Sequence, residues 1–398
     1  MSVYDGRRRR QLEERQNEIA RDAERRRKRK TRAVIIITVV VLVLACAAYF
    51  GVTRYVKYTG YTTLTKIDMT NTDENTTVYA YKDGFLKCAG DGLTYFNNEG
   101  IVWSETFTMS QPICSVCGDY AAVVDMKGTE VDVFGASGLV NKISLTNVAT
   151  DVEVAETGTV AVLTSDDNAS CFQLLDIDGN ELIKAKLVFS ASGYITDIAL
   201  SSDGTCMAAS FVSVNGGSLS SKVVIYDFTN GSADENFVTA EFSDYSSTLL
   251  TTVKFMSGDK VAAVGDNAFT IFSTSGTPQI VYEEKDLSWQ VQTLILNDRY
   301  IGFIAEKENA EEAYDIKVYN TSGKVMLEQA CDISYDYADF AGESVVLYSD
   351  YDCDIINFAG THKFSYSFDK KIEALKSSGG TSTFAYLTEN ETEIIKLK

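Results

Sequence analysis

The stretch Val318-Tyr319-Asn320-Thr321-Ser322-Gly323 closes an apolar run on an aromatic residue and reaches a glycine four positions later. This reads as a strand followed by a tight turn, because glycine accepts positive φ without a side-chain clash. The pattern recurs as Phe96…Gly100, Phe134…Gly138, Leu175…Gly179, Phe272…Gly276 and Ile356…Gly360, and one residue longer as Tyr226…Gly231. Successive glycines stand 38, 41, 52, 45, 47 and 37 residues apart, and the chain ends 38 residues after Gly360. A period near forty suits one small sheet per repeat, so the spacing predicts an array of like units.

A second strand of small and branched apolar residues precedes each of these strands. The series runs Leu86–Ala89, Ala121–Val124, Val160–Leu163, Cys206–Ala209, Val261–Val264, Ile301–Ile304, Val345–Tyr348 and Thr383–Tyr386. Continuous apolar content predicts burial on both faces. Each unit therefore reads as four antiparallel strands, A to D, with the small-residue strand as B and the aromatic strand as C. Seven C strands end at a turn glycine, and Thr392–Leu397 makes an eighth. The last unit lacks a D strand, while Tyr61–Met69 stands unpaired before the first. Joining the two predicts a ring closed by both chain ends, which removes exposed sheet edges. The fold class is thus all-β, an eight-bladed β-propeller over residues 61–398, about 42 residues per blade, with seven blades as the alternative.

The motifs Leu174-Leu175-Asp176-Ile177-Asp178-Gly179, Val318–Gly323 and Tyr95-Phe96-Asn97-Asn98-Glu99-Gly100-Ile101-Val102-Trp103 carry a resemblance. They resemble the eight-bladed propellers of the quinoprotein-dehydrogenase-like superfamily and, more loosely, WD40 repeats. With its N-terminal apolar segment, the whole chain resembles an uncharacterised family of membrane-anchored propellers from clostridial Gram-positive bacteria. Quinoproteins stack a tryptophan in most blades, whereas this sequence has only Trp103 and Trp289, and the Trp-Asp ending of WD40 repeats is missing. The resemblance implies a fold and implies no activity.

Charge divides the chain. The formal net charge is −20, yet residues 1–32 carry +7 and the remainder −27. Between them, Ala33 to Val52 is free of charge and long enough to span a bilayer as a helix. Arg25, Arg26, Arg27, Lys28, Arg29, Lys30 and Arg32 abut its N-terminal end, so the positive-inside rule keeps the tail in the cytoplasm and exports the rest. Cleavage is the competing reading, since Val43-Leu44-Ala45-Cys46 loosely resembles a lipobox. The apolar run continues past Cys46, which favours a retained anchor. The expected organisation is a basic cytoplasmic helical tail (1–32), a single transmembrane helix (33–53), a linker (54–60) and an extracytoplasmic propeller (61–398).

A single histidine, His362, excludes two-His zinc and iron sites, and its place after Gly360 predicts an exposed loop residue. Cys114-Ser115-Val116-Cys117 is a C-x-x-C in a strand context, where a separation of three sends the side chains to opposite faces rather than to one redox centre. Asp350, Asp352 and Asp354 alternate and so predict one shared acidic face. Isoleucine follows the third acid where a calcium loop of the EF-hand type has glycine. Two tracts interleave tyrosine with aspartate, Asp332–Asp339 with Tyr335 and Tyr337, and Ser349–Asp354 with Tyr351, a composition that suits an interaction patch. No cofactor or metal is expected. The reading is a non-catalytic binding scaffold or sensor at the cell envelope, with an envelope protein as partner. Its charge repels nucleic acid and leaves basic proteins, cations or neutral glycans as ligands. The alternative is a carboxylate-dependent hydrolase or lyase, or a glycan-binding module, using the central funnel; it predicts perturbed acids converging on the axis.

Overall fold

The computed structural model describes residues 35–45, 51, 55–229, 237–285, 287, 291–307 and 314–398. Among these residues, eight four-stranded antiparallel sheets follow one another along the chain. Seven run A-B-C-D in sequence order. The eighth consists of Ala374–Ser377, Thr383–Thr388 and Glu391–Leu397, with Tyr61–Asp68 from the other end of the chain as its D strand. Tyr61 pairs with Leu397 and Asp68 with Glu391, so the ring closes as the unpaired first strand predicted. Eight blades, not seven, form the propeller. Neighbouring A strands meet around the axis.

The B strands bear out their composition: Ala121, Ala122, Val123 and Val124 are each at most 1% exposed. Small residues there let neighbouring sheets approach, and the aromatic ends of the C strands fill the seams. Phe269, Phe303 and Tyr319 meet between the fifth and sixth blades with ring centroids 4.9 and 5.1 Å from Phe269. Such offset and tilted pairs add roughly 0.5–1.5 kcal/mol each beyond their buried area.

The turn glycines earn their place locally. Asn320 Oδ1 accepts the N–H groups of Ser322 and Lys324, both at 3.0 Å, and Gly323 donates its N–H to the Asn320 carbonyl at 2.9 Å. Asp176 and Asn357 build the same turn before Gly179 and Gly360. Gly323 has φ 76°, and a Cβ there would lie 2.1 Å from the Tyr282 ring of the preceding blade. Gly323→Ala is expected to cost about 3 kcal/mol through strain and overpacking, read as a lowered denaturant midpoint. An unchanged midpoint would show that the seam can yield.

Every D strand carries one extra residue opposite the end of its C strand. These are Leu64, Val102, Val140, Leu182, Thr239, Val281, Met326 and Lys363. The bulge bends the outermost strand and spoils it as a template for further pairing. Antiparallel order brings the A–B and C–D turns to one face of the ring, and the B–C hairpins and D–A crossings to the other. The chain joins the propeller at the first face. There Tyr58 donates its N–H to the Lys363 carbonyl at 2.6 Å, and Thr59 donates to that of Lys398 at 2.8 Å.

Residues 35–45 are helical. No helix among the described residues is long and apolar enough to cross a membrane. Apart from Gly51, the rest of the expected span lies outside the described residues, as does the tail with Arg25, Arg26, Arg27, Lys28, Arg29, Lys30 and Arg32. Trp289 lies outside them too.

Candidate functional site

Four successive blades, the third to the sixth, carry a bulge in strand A at the same place: Thr150, Thr196, Thr251 and Gln292 are the extra residues. In two of these strands the next residue is aspartate. Asp151 Oδ1 accepts the N–H of Val152 at 2.8 Å, and its carboxylate also takes that of Ile198 in the fourth blade. Asp197 accepts from Ile198 at 3.0 Å and from Val253 of the fifth blade at 2.7 Å. The two carboxyl groups also bond to each other. Burial, helped by the neighbouring Asp151 charge, pushes Asp197 up to about 8. Asp151 is raised as well, chiefly by burial. Two carboxylates this close share a proton, because a second buried negative charge is costly.

Two residues further along, Glu153 is pushed up to about 7 by burial, against the opposing pull of Lys254 and a hydrogen bond from Ser115 Oγ at 2.7 Å. Glu153 marks the floor of a recess of about 460 Å³ on the face where the chain arrives. Its walls are A–B turns chained to one another: Glu156 donates its N–H to the Ser202 carbonyl at 2.7 Å, and Ser257 to that of Asp298 at 2.6 Å. Glu153, Glu156, Asp203, Asp259 and Asp298 line the recess, with Lys254 as its one lining cation among the described residues. Perturbed acids therefore do converge near the axis. Asp151 and Asp197, however, spend their oxygens on backbone N–H groups of three blades and on each other. They clamp the ring, and the carboxylates left facing the recess can attract positive charge.

A model for a family described as "Family of unknown function (DUF5711)" matches residues 54–397. The chain belongs to that family. No curated protein matches the sequence. Among solved structures, the chain is similar to Saccharomyces cerevisiae Sqt1, with TM-score 0.51 and 11% identity over 86% of this chain and 99% of that one. It is also similar to Chaetomium thermophilum Raptor, with TM-score 0.50 and 9% identity over 87% of this chain and 29% of that one. The WD40 domain of Neurospora crassa Pan2 aligns at TM-score 0.43 and 11% identity, over 72% of this chain and 88% of that one. At these identities the likeness shows the propeller fold alone. This DUF5711 member thus has a propeller fold, and its strands lack Trp-Asp endings.

The residues singled out from the sequence sit elsewhere, at the opposite end of the seventh blade. Tyr337 opens its A strand, more than half exposed and stacked on Tyr348 at 5.2 Å. Tyr351 is exposed in the B–C turn. Tyr335 turns away: it is half-buried, packs edge-on against Tyr314 at 5.1 Å and bonds Thr293 at 3.0 Å. The acids do not form the expected single face. The C strand begins only at Asp352, so Asp350 lies in the turn, 3.6 Å from Lys371. Asp352 is capped by Ser367, and Asp354 is buried, taking Ser365 at 2.5 Å and His362 Nδ1 at 2.9 Å. His362 is accordingly no loop residue. The D strand starts at it opposite Ile356, and its ring reaches the Asp354 carboxylate. No group of three His, Cys, Asp or Glu among the described residues is placed to hold a metal ion. In the C-x-x-C strand, Cys114 faces the first blade beside Cys88, and Cys117 packs toward the third. One thiol in each seam cannot form a joint redox centre.

Asp151, Glu153 and Asp197 were missed among fifty acids, yet they carry a signal. Ala149-Thr150-Asp151-Val152 and Ile195-Thr196-Asp197-Ile198 repeat a Thr-Asp-branched triplet at the start of the A strand.

Proposed function

We propose that the protein is a membrane-anchored, extracytoplasmic binding scaffold of a Gram-positive cell envelope, and that the acidic recess receives a basic segment of an envelope protein. The observation that carries this reading is the lining of the recess, five carboxylates against one lysine, in a region (residues 33–398) of charge −27. Such a concave acidic surface focuses its field on approaching cations and speeds their capture. A propeller suits the role because its turns vary while its sheets hold them rigid. Anchoring rests on the uncharged run Ala33 to Val52 and the basic cluster before it. The clamp role of Asp151 and Asp197 weighs against a hydrolytic pair, which would need two carboxyl groups open to substrate.

Crosslinking in intact cells followed by purification through the propeller tests the reading. The wild-type chain is expected to recover a small, reproducible set of envelope proteins. The double reversal Glu156→Lys and Asp298→Lys is expected to lower that recovery about tenfold or more, since each reversed rim charge costs on the order of 1 kcal/mol. Recovery that ignores the reversal would place the partner on another surface.

A further inference from the structure

The repeat is longest where the turn glycines stand 52 residues apart, and the structure localises the excess. Strands B and C of the fourth blade are Cys206–Asn215 and Ser218–Asp227, ten residues each, where most B and C strands have five to seven. The D–A crossing that leads into this blade adds a helical turn, Phe189–Ser192. Crossing and hairpin enclose a cleft of about 690 Å³ on the face opposite the acidic recess. Insertions in a repeat fold mark the surfaces that function has elaborated.

The cleft has a built aromatic wall. Tyr194, 56% exposed, stacks on Phe189 with centroids 4.3 Å apart and an interplanar angle of 24°. Gly193 sets that stack. Its φ is 86°, its N–H donates to the Phe189 carbonyl at 3.0 Å, and a Cβ there would lie 2.6 Å from the Val212 carbonyl oxygen. The rest of the lining is hydroxyl-rich. Ser213 and Ser220 bond each other across the hairpin at 3.0 Å, while Ser190, Ser192 and Ser243 donate to no protein acceptor among the described residues. The two charged residues in the lining balance. Asp167 is exposed, and Lys222 is tied to Glu241 at 3.0 Å and lies over the Phe211 ring at 5.3 Å. A nearly neutral cleft in so acidic a domain is not built for a cation.

We infer that this cleft between the third and fourth blades binds a neutral glycan, with Tyr194 as the platform for one sugar ring and the serine hydroxyls and Asp167 as partners for its hydroxyl groups. Pyranose rings present an apolar face to an aromatic ring and a rim of hydroxyls that donate and accept, and the cleft supplies both kinds of surface. The site is independent of the acidic recess and lies on the other face.

The full-length chain in detergent micelles is titrated calorimetrically with maltotetraose, cellotetraose and the tetramer of N-acetylglucosamine. At least one is expected to bind. Tyr194→Ala should weaken that binding about tenfold, while Tyr194→Phe should leave it within about twofold. Gly193→Ala displaces the platform without removing it and should also weaken binding, whereas Glu156→Lys with Asp298→Lys should not. Failure of all three oligosaccharides to bind at up to about 10 mM overturns the inference. So does equal binding by Tyr194→Ala, which is an exposed change and leaves folding intact. Binding of a neutral peptide in place of every sugar would likewise overturn it.

Discussion

Removing Asn390–Lys398 is expected to abolish cooperative unfolding of the propeller, not merely to lower its midpoint. These residues form the C strand of the eighth blade, which joins Thr383–Thr388 on one side and Tyr61–Asp68 on the other. Ile394, Ile395 and Leu397 are each at most 4% exposed. Burying three such side chains stabilises by roughly 5–9 kcal/mol, a large part of the 5–15 kcal/mol by which ordinary domains are folded. The loss also strands Tyr61–Asp68 without a partner and opens two sheet edges. Thermal melts followed by circular dichroism test this. A truncated chain with a sharp transition within a few degrees of wild type would show that seven blades hold themselves together.

Asp197→Asn is expected to stabilise the protein at alkaline pH and leave it nearly unchanged in acid. The carboxyl group titrates near 3.8 when exposed and near 8 in the folded state, where burial and Asp151 oppose its charge. Its native pKa is raised, so between those values the folded chain holds a proton the unfolded chain has lost. Stability contributed by this group is therefore full below about pH 4 and falls as pH rises toward about 8. Asparagine approximates the protonated form: its oxygen can accept the N–H of Val253, its amide can donate to Asp151, and the Ile198 N–H that it no longer accepts keeps its bond to Asp151. The difference in melting temperature between variant and wild type should grow from about zero near pH 4 to several degrees near pH 8.5, reflecting on the order of 3 kcal/mol. Glu153 also acts on the pair and is unchanged in the comparison, so it does not produce the difference. Parallel melting curves across that range would show that the pair shares no proton.

Much of the architecture was legible because it is local. An aromatic residue, an Asx turn and a glycine at fixed spacing specify a hairpin whatever surrounds them, and their recurrence counts the blades. The closing strand was legible by subtraction, since eight C strands and seven D strands leave one alternating stretch to pair. The Asp350–Asp354 reading went astray because alternation assumes a strand, and the strand begins two residues later than the first acid. His362 was misplaced for the same reason, at the other edge of a turn. Glu153, Asp151 and Asp197 were hidden because their roles depend on neighbours 38 to 56 residues away in sequence.

The order of residues alone pointed to a ring of like sheets, eight with seven as the alternative, whose first and last strands share one sheet, and it fixed a charge split across an uncharged segment. Periodicity and net charge are properties of the string, and sterics near each turn convert them directly into strands. Only the tertiary structure decided which side chains share a cavity. Closing the ring brought A–B turns from four blades around one acidic recess and set the enlarged hairpin of the fourth blade against a stacked aromatic pair on the other face. Residues far apart in sequence acquire a common chemistry only when packing fixes the distances between them.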